Sequence, residues 1–387
     1  MFILFLLSLI SILGFGLIFP LLPEVQLFFN FNDFQISIYG SIFAFTSMIG
    51  CIYFGMLSDN IGRKRVFILT LFMLSISYLT LGLIFYVHYN NVALGYIVRA
   101  FTGFFSGSLP VCFAAGSDLA QNNKEKIKYM GFMGAGFGVG FAFGPTFGSV
   151  LYHTTQSLYS PFFISSLVYF LGLVIVLIYF HETNINITKK QSLKDVIAIL
   201  LSFSKKYKML LAILLNTILS FSFTSLEVVL VLELAHKWGL SIVEIGICFT
   251  FFSILLTVCQ LILPRFIFGY TAIIIGFICF SIFTLNFLFI TSVTFLFCNL
   301  ILAAVADGIL FPNLSALMSF EGEDDQQGLV FGLGHGVASL GRFLGPAVLG
   351  FIYYYFDVSW VWIMLSVLSV LSSLVAYVFL YKKYTSS

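Results

Sequence analysis

About twelve apolar runs follow one another along this chain, each near the roughly 20 residues that an α-helix needs to cross about 30 Å of hydrocarbon. On that criterion they fall at 2–22, 36–57, 66–87, 92–117, 129–152, 160–180, 209–232, 242–263, 271–290, 293–318, 328–354 and 358–381. Of the 387 residues, 60% are hydrophobic and 9% charged. A soluble chain of this length has too little interior to hide so much apolar surface. The pattern predicts an all-α membrane protein of about twelve transmembrane helices, with the lipid bilayer as its partner.

The longest polar stretch, His181 to Lys208, divides the chain near its middle. It predicts a six-helix bundle over 1–180, a linker over 181–208 and a second six-helix bundle over 209–387. Within the linker, Ser192-Leu-Lys-Asp195 has the form of a capping box and predicts a short helix on the membrane surface. Arg63, Lys64, Arg65, Lys124, Lys126, Lys128, Arg265, Lys382, Lys383 and the linker lysines fall on one side of the spans, and Lys237 on the other. That bias predicts cytoplasmic termini and linker. Met1-Phe-Ile-Leu-Phe carries no charged n-region and no small-residue cleavage site, so it reads as a retained first span. Gly131, Gly140, Gly144 and Pro145 recur at one constant offset as Gly332, Gly341, Gly345 and Pro346, in spans 5 and 11. Two parallel repeats of this kind place a substrate site at their interface.

Several classes of function are disfavoured. The six cysteines lie inside apolar segments without a CxxC pair, and the five histidines have no metal-ligand neighbours, so neither zinc nor a disulfide framework is indicated. No catalytic cluster points to an enzyme, no cofactor is implied, and the basic residues form no stripe suited to nucleic acid.

Four groups of residues carry the mechanism. Span 5 has glycine at 136, 140, 144 and 148, a stripe that lets another backbone approach closely, for packing or as a hinge; Pro145 favours a bend within it. Span 4 has Gly95, Arg99, Gly103 and Gly107 at the same spacing. Arg99 is expected either as a buried cation tied to the transport path or as an arginine snorkelling to the surface. Between spans 2 and 3, Gly55-Met-Leu-Ser-Asp59-Asn-Ile-Gly62-Arg63-Lys64-Arg65 can form breakable salt bridges, with Asp118 a reachable partner for Arg63 or Lys64. Finally, Glu227 and Asp307 are carboxylates within spans 7 and 10. Asn216, Ser220 and Glu227 share one face, as do Asn299, Ala303 and Asp307. A carboxylic acid withdrawn from water loads a proton more readily, so these two are candidates for proton coupling. Asp307 has a static ion pair with Arg342, a second expected buried cation, as its other reading.

Gly55 to Arg65 resembles the loop 2–3 signature of the major facilitator superfamily, with Asn60 a departure. Arg99 with Gly103 resembles its helix 4 motif. Gly140-x-x-x-Gly144-Pro145-x-x-Gly148 resembles the helix 5 antiporter motif, with Ser149 in place of its last glycine; Gly14 to Pro23 is similar to helix 1 of the same subset. The combination resembles the drug:proton antiporter family, which includes bacterial tetracycline and quinolone exporters. The resemblance implies two six-helix bundles rocking about a central cavity in an inner membrane. It also implies proton-driven export of small amphipathic compounds by a monomer, with a cytoplasmic gate at Gly55, Asp59, Gly62, Arg63, Lys64 and Asp118. Acids similar to Glu227 and Asp307 are implicated in proton coupling in some quinolone-type exporters. Tetracycline exporters carry aspartates where this chain has Ser11 and Ser77, which argues against tetracycline as cargo. An exporter of an endogenous metabolite, such as a siderophore, sugar or amino acid, is the alternative.

Overall fold

The structure is a computed structural model, and it describes residues 1–31, 33–184, 206–236, 238–239, 242–290, 292–322 and 326–382. Twelve long helices run through them: α1 (Phe2–Gly16), α2 (Asp33–Ile61), α3 (Arg63–Tyr86), α4 (Val92–Asp118), α5 (Asn123–Thr155), α6 (Tyr159–Tyr179), α7 (Tyr207–His236), α8 (Ile242–Ile262), α9 (Tyr270–Asn286), α10 (Val293–Glu321), α11 (Gln327–Tyr355) and α12 (Val358–Ala376). The expected spans and the observed helices coincide to within a few residues at most ends. The surface helix expected near Ser192 lies outside the described residues.

The differences have local causes. α1 stops at Gly16, short of the expected 22, because Pro20 and Pro23 start a 3₁₀ turn at Phe19–Leu21 and a separate short helix at Leu22–Phe29. α5 starts at Asn123, six residues before its apolar run. Asn122 Oδ1 accepts from Glu125 N at 2.9 Å and Glu125 Oε2 accepts from Gln121 N at 2.9 Å, a reciprocal cap that hydropathy does not register. Side-chain caps also start α4 at Asn91, α10 at Ser292 and α12 at Asp357. Only Gly62 separates α2 from α3, and its φ of +96° is open to glycine and strained for any other residue.

Among the described residues, eight helices are long and apolar enough to cross a membrane by composition, and Phe2–Gly16 and Tyr270–Asn286 are shorter apolar helices. α5 and α11 fall outside that criterion because glycine dilutes their apolar character. They are also the two helices of the repeated glycine-proline pattern.

The chain forms two compact units: Met1–Leu119, Gly136–Ser192 and Glu323–Ser339 in one; Ala120–Ala135, Leu193–Gly322 and Leu340–Ser387 in the other. In the first, α3 lies along α6, where Ser75 Oγ donates to Ser166 O (3.0 Å) and Ser166 Oγ to Ser75 O (2.8 Å). In the second, α9 lies along α12, with Ser281 and Ser366 hydroxyls 2.8 Å apart. Small hydroxylated residues let helices approach where lipid supplies no hydrophobic drive. The aromatic core of the second unit includes a Phe287–Trp362 stack at 4.1 Å and a small apolar void lined by Phe223, Phe249, Phe252 and Phe283.

The glycines of α5 show how the fold uses them. A Cβ on Gly136 would meet Phe5 O at 2.6 Å, and one on Gly140 would meet Leu9 O at 2.7 Å. One on Gly144 would meet Gly16 Cα at 2.9 Å, and one on Gly148 would overlap Leu17 O. All four pack α5 against α1. Gly148→Leu is expected to lower stability by about 1–3 kcal/mol through overpacking. Gly40→Ala, which meets no atom within 4 Å, should raise it by up to about 1 kcal/mol through helix propensity. Thermal unfolding of the two variants checks both signs.

Candidate functional site

The α2–α3 junction assembles a charged node inside the first unit. Arg63, the first residue of α3, is fully buried. Its Nη1 contacts Asp59 Oδ1 at 2.5 Å and Ser58 Oγ at 2.6 Å, while Nε donates to Asp118 Oδ2 at 3.0 Å. One guanidinium thus bridges the ends of α2 and α4. Asp59 also holds the start of α11, since its Oδ1 and Oδ2 accept from Gly328 N and Leu329 N, both at 2.8 Å. These amides lie in the first turn of α11, where an anion is favoured by the unsatisfied N–H groups and the helix dipole. Gly55 permits the approach, since a Cβ there would lie 2.9 Å from Gly332 Cα. Lys64 points elsewhere, its Nζ donating to Leu177 O at 3.2 Å. Three neighbours of this node, Glu182, Thr183 and Asn184, do not stand out in the sequence, because they look like the start of a polar linker.

In the second unit Gly269, before α9, has φ +81° and so shares the positive φ of Gly62, and its N–H donates to Asn313 Oδ1 of α10 at 2.8 Å.

Arg99 of α4 is buried, and the snorkelling alternative does not hold. Its guanidinium carbon lies 4.3 Å from the Phe43 ring centre and 5.1 Å from that of Tyr39, both on α2, within cation–π distance. Tyr78 of α3 stacks on Tyr169 of α6 at 5.3 Å. The flanking glycines explain this direction. A Cβ on Gly103 would meet Phe43 Cα at 2.9 Å, and one on Gly107 would overlap the backbone of Gly50, so the stripe presses α4 onto α2. The tyrosine cluster was not legible in sequence, because a tyrosine in a span reads first as an interfacial residue. Ser11 and Ser77 bond Leu7 O and Met73 O of their own helices, at 2.8 and 2.7 Å.

Asp307 sits on α10 at the seam with α8. Gln260 Nε2 of α8 donates to its Oδ2 at 3.2 Å, and Gln260 is itself buried. The seam is tight, because Gly308 has Cys259 directly against its missing side chain. Glu227 lies on α7, and its side chain is outside the described residues. Arg342 corrects an expectation: it is exposed on α11, because the neighbouring Gly341 is the position pressed onto α7, with Thr217 O 2.5 Å from a Cβ built there. Glu233 is a buried acid one residue beyond the expected end of span 7, because α7 runs on to His236. The apolar Leu234 and Ala235 beyond it were the available signal.

The sequence model of the Major Facilitator Superfamily matches residues 4–227 and again 212–387. The class B tetracycline resistance protein of Escherichia coli is 27% identical over 376 residues, covering 92% of this chain and 90% of that protein. Multidrug resistance protein 2 of Bacillus subtilis is 26% identical, covering 89% and 86%. The quinolone resistance protein NorA of Staphylococcus aureus is 23% identical, covering 87% and 86%. The solved structure of the human organic anion transporter MFSD10 (TETRAN) superposes with a TM-score of 0.83 at 21% identity, over 97% of this chain and 98% of that one, a likeness of fold. With family matches spanning both sequence halves and resistance proteins among its relatives, the chain belongs to the Major Facilitator Superfamily and is a multi-pass membrane transporter, not an enzyme.

Proposed function

We propose that this transporter exports small amphipathic compounds of the multidrug type in exchange for protons, by alternating access of two six-helix bundles (1–180 and 209–387) joined by the linker 181–208. The observation that carries the coupling is the setting of Asp307, whose carboxylate inside a span is bonded to an uncharged amide, Gln260. A half-buried carboxyl in a span, bonded to an amide and to no base, has no fixed counter-charge and is suited to take up and release a proton as its exposure changes. Glu227 is the second coupling acid in this reading. Asp59, Arg63 and Asp118, with Gly55, Gly62 and Lys64, form the gate, and opening it requires the Asp59 contacts to α11 to break. Gly140, Gly144, Pro145 and Gly148 are the helix 5 antiporter element, and Arg99 is a buried cation of the cargo path. The lysine and arginine bias puts the termini and the gate on the cytoplasmic side of an inner membrane. The names of the relatives support drugs as cargo, while Ser11 and Ser77 argue against tetracycline. Arg99, packed against rings, favours as second reading an endogenous metabolite with an anionic group.

Inverted membrane vesicles with an imposed pH gradient test this. Cationic dyes, fluoroquinolones and carboxylated metabolites should be screened for gradient-dependent accumulation, with Glu227→Gln as the matched control. Accumulation of a drug by the wild type alone is the expected result. Equal accumulation with and without the gradient overturns proton coupling, and accumulation of carboxylated metabolites only selects the second reading.

A further inference from the structure

Helix α3 starts with a deficit. Its first turn is Arg63-Lys64-Arg65, three cations at the end of a helix that favours anions, and Gly62 before it has no side chain to cap with. The missing acceptor arrives from just beyond α6. Glu182 Oε1 accepts from Arg63 N at 2.8 Å and Oε2 from Lys64 N at 3.1 Å. The same carboxylate gathers the N–H groups of Thr183 and Asn184 at 3.0 and 3.1 Å. Gly62 leaves the room for it: a Cβ there would lie 2.9 Å from the Glu182 carboxyl carbon and overlap one of its oxygens.

The next two residues hold the other members of the node. Thr183 Oγ1 donates to Asp118 Oδ2 at 3.1 Å, the oxygen that also receives Arg63 Nε, and Asn184 Nδ2 donates to Asp59 O at 3.3 Å. Three consecutive residues therefore each bind one of Arg63, Asp118 and Asp59. Because α3 and α6 pack along each other, this segment ties the ends of α2 and α4 to that pair at one point.

We propose that Glu182-Thr183-Asn184 is a clasp that holds the Asp59–Arg63–Asp118 node in the geometry that engages α11, with Glu182 as a positioning residue for the gate. This rests on the gate reading given above. The start of the linker is then part of the gate's mechanism as well as a tether. Loosening it lets the Asp59 end of α2 shift, and weakens the hold of Asp59 on Gly328 and Leu329.

Cys51 is a native reporter. It is buried on α2, about two turns before Asp59, and α11 covers it at Gly332, where a Cβ would lie 2.5 Å from Cys51 O. The test is maleimide labelling of the purified chain in lipid nanodiscs, read at Cys51 by peptide mass spectrometry. Glu182→Ala should label about fivefold faster than wild type, the factor a typical helix cap corresponds to. Glu182→Asp, which keeps the charge, should recover more of the protection than Glu182→Gln. Thr183→Val with Asn184→Ala, which leaves the α3 cap in place, should move labelling in the same direction by less. Trp362→Ala, which hollows the aromatic core of the second unit, shows what loss of stability alone does. An unchanged rate in Glu182→Ala overturns the proposal. So does a rate no faster than that of Trp362→Ala adjusted to the same thermal midpoint. Labelling needs neither cargo nor protons, so this result is separate from the fate of the export reading.

Discussion

Arg63→Ala is expected to destabilise the protein by about 3–5 kcal/mol, the range for removing one partner of a buried charge network. The side chain is fully buried and bridges two carboxylates at 2.5 and 3.0 Å. Its loss leaves Asp59 and Asp118 facing each other around a void. Asp59 keeps its two amide donors from α11 and Asp118 keeps Thr183, so the chain should fold, with a much lower thermal midpoint and reduced transport. Arg63→Lys should fall between, since an ammonium keeps the charge but lacks the fork that reaches both acids. Removing Asp118 together with Arg63 should cost less than the sum of the single changes, because the second loss relieves the repulsion left by the first. Additive losses in thermal unfolding would show that the two groups do not act on each other.

Asp307→Asn should separate transport from coupling. The amide has the shape of the acid and an oxygen that can still accept from Gln260 Nε2, so the thermal midpoint should hardly change. What disappears is the exchangeable proton. In inverted vesicles the variant should lose gradient-driven accumulation down to the level of vesicles without the protein, and still equilibrate cargo down its own gradient. Cargo-evoked proton movement, followed with a pH-sensitive dye, should vanish with it. Full accumulation by Asp307→Asn would remove this residue from the coupling path and leave Glu227, or the buried Glu233, to carry it.

Much of this architecture is legible in the sequence because membrane helices satisfy their own backbone. Apolar length alone locates such helices, and twelve spans could be drawn within a few residues of most observed ends. The failures occur where another interaction sets the end: prolines that break α1 early, a reciprocal side-chain cap that starts α5 early, and an apolar continuation that carries α7 past Glu233. Glycine at four-residue spacing in α4 and α5 announced close helix contacts, and Asp118 was within reach of Arg63 by position along the spans. The partners were another matter. Nothing local says that the α5 stripe meets α1, or that Asp59 directs both its oxygens at amides of α11. Arg342 shows the same limit, since periodicity could not tell which side of α11 would be pressed onto α7.

What the sequence determined by itself is the class of molecule: a chain of membrane helices in two repeats, with charges left in a few places where hydrocarbon would otherwise exclude them. The tertiary structure alone decided what those charges touch. A span is specified by composition over about 20 consecutive residues, whereas Glu182 reaches Arg63 across 119 positions and Gly328 reaches Asp59 across 269. Such contacts depend on how helices pack, and packing is settled by the fit of many small side chains at once.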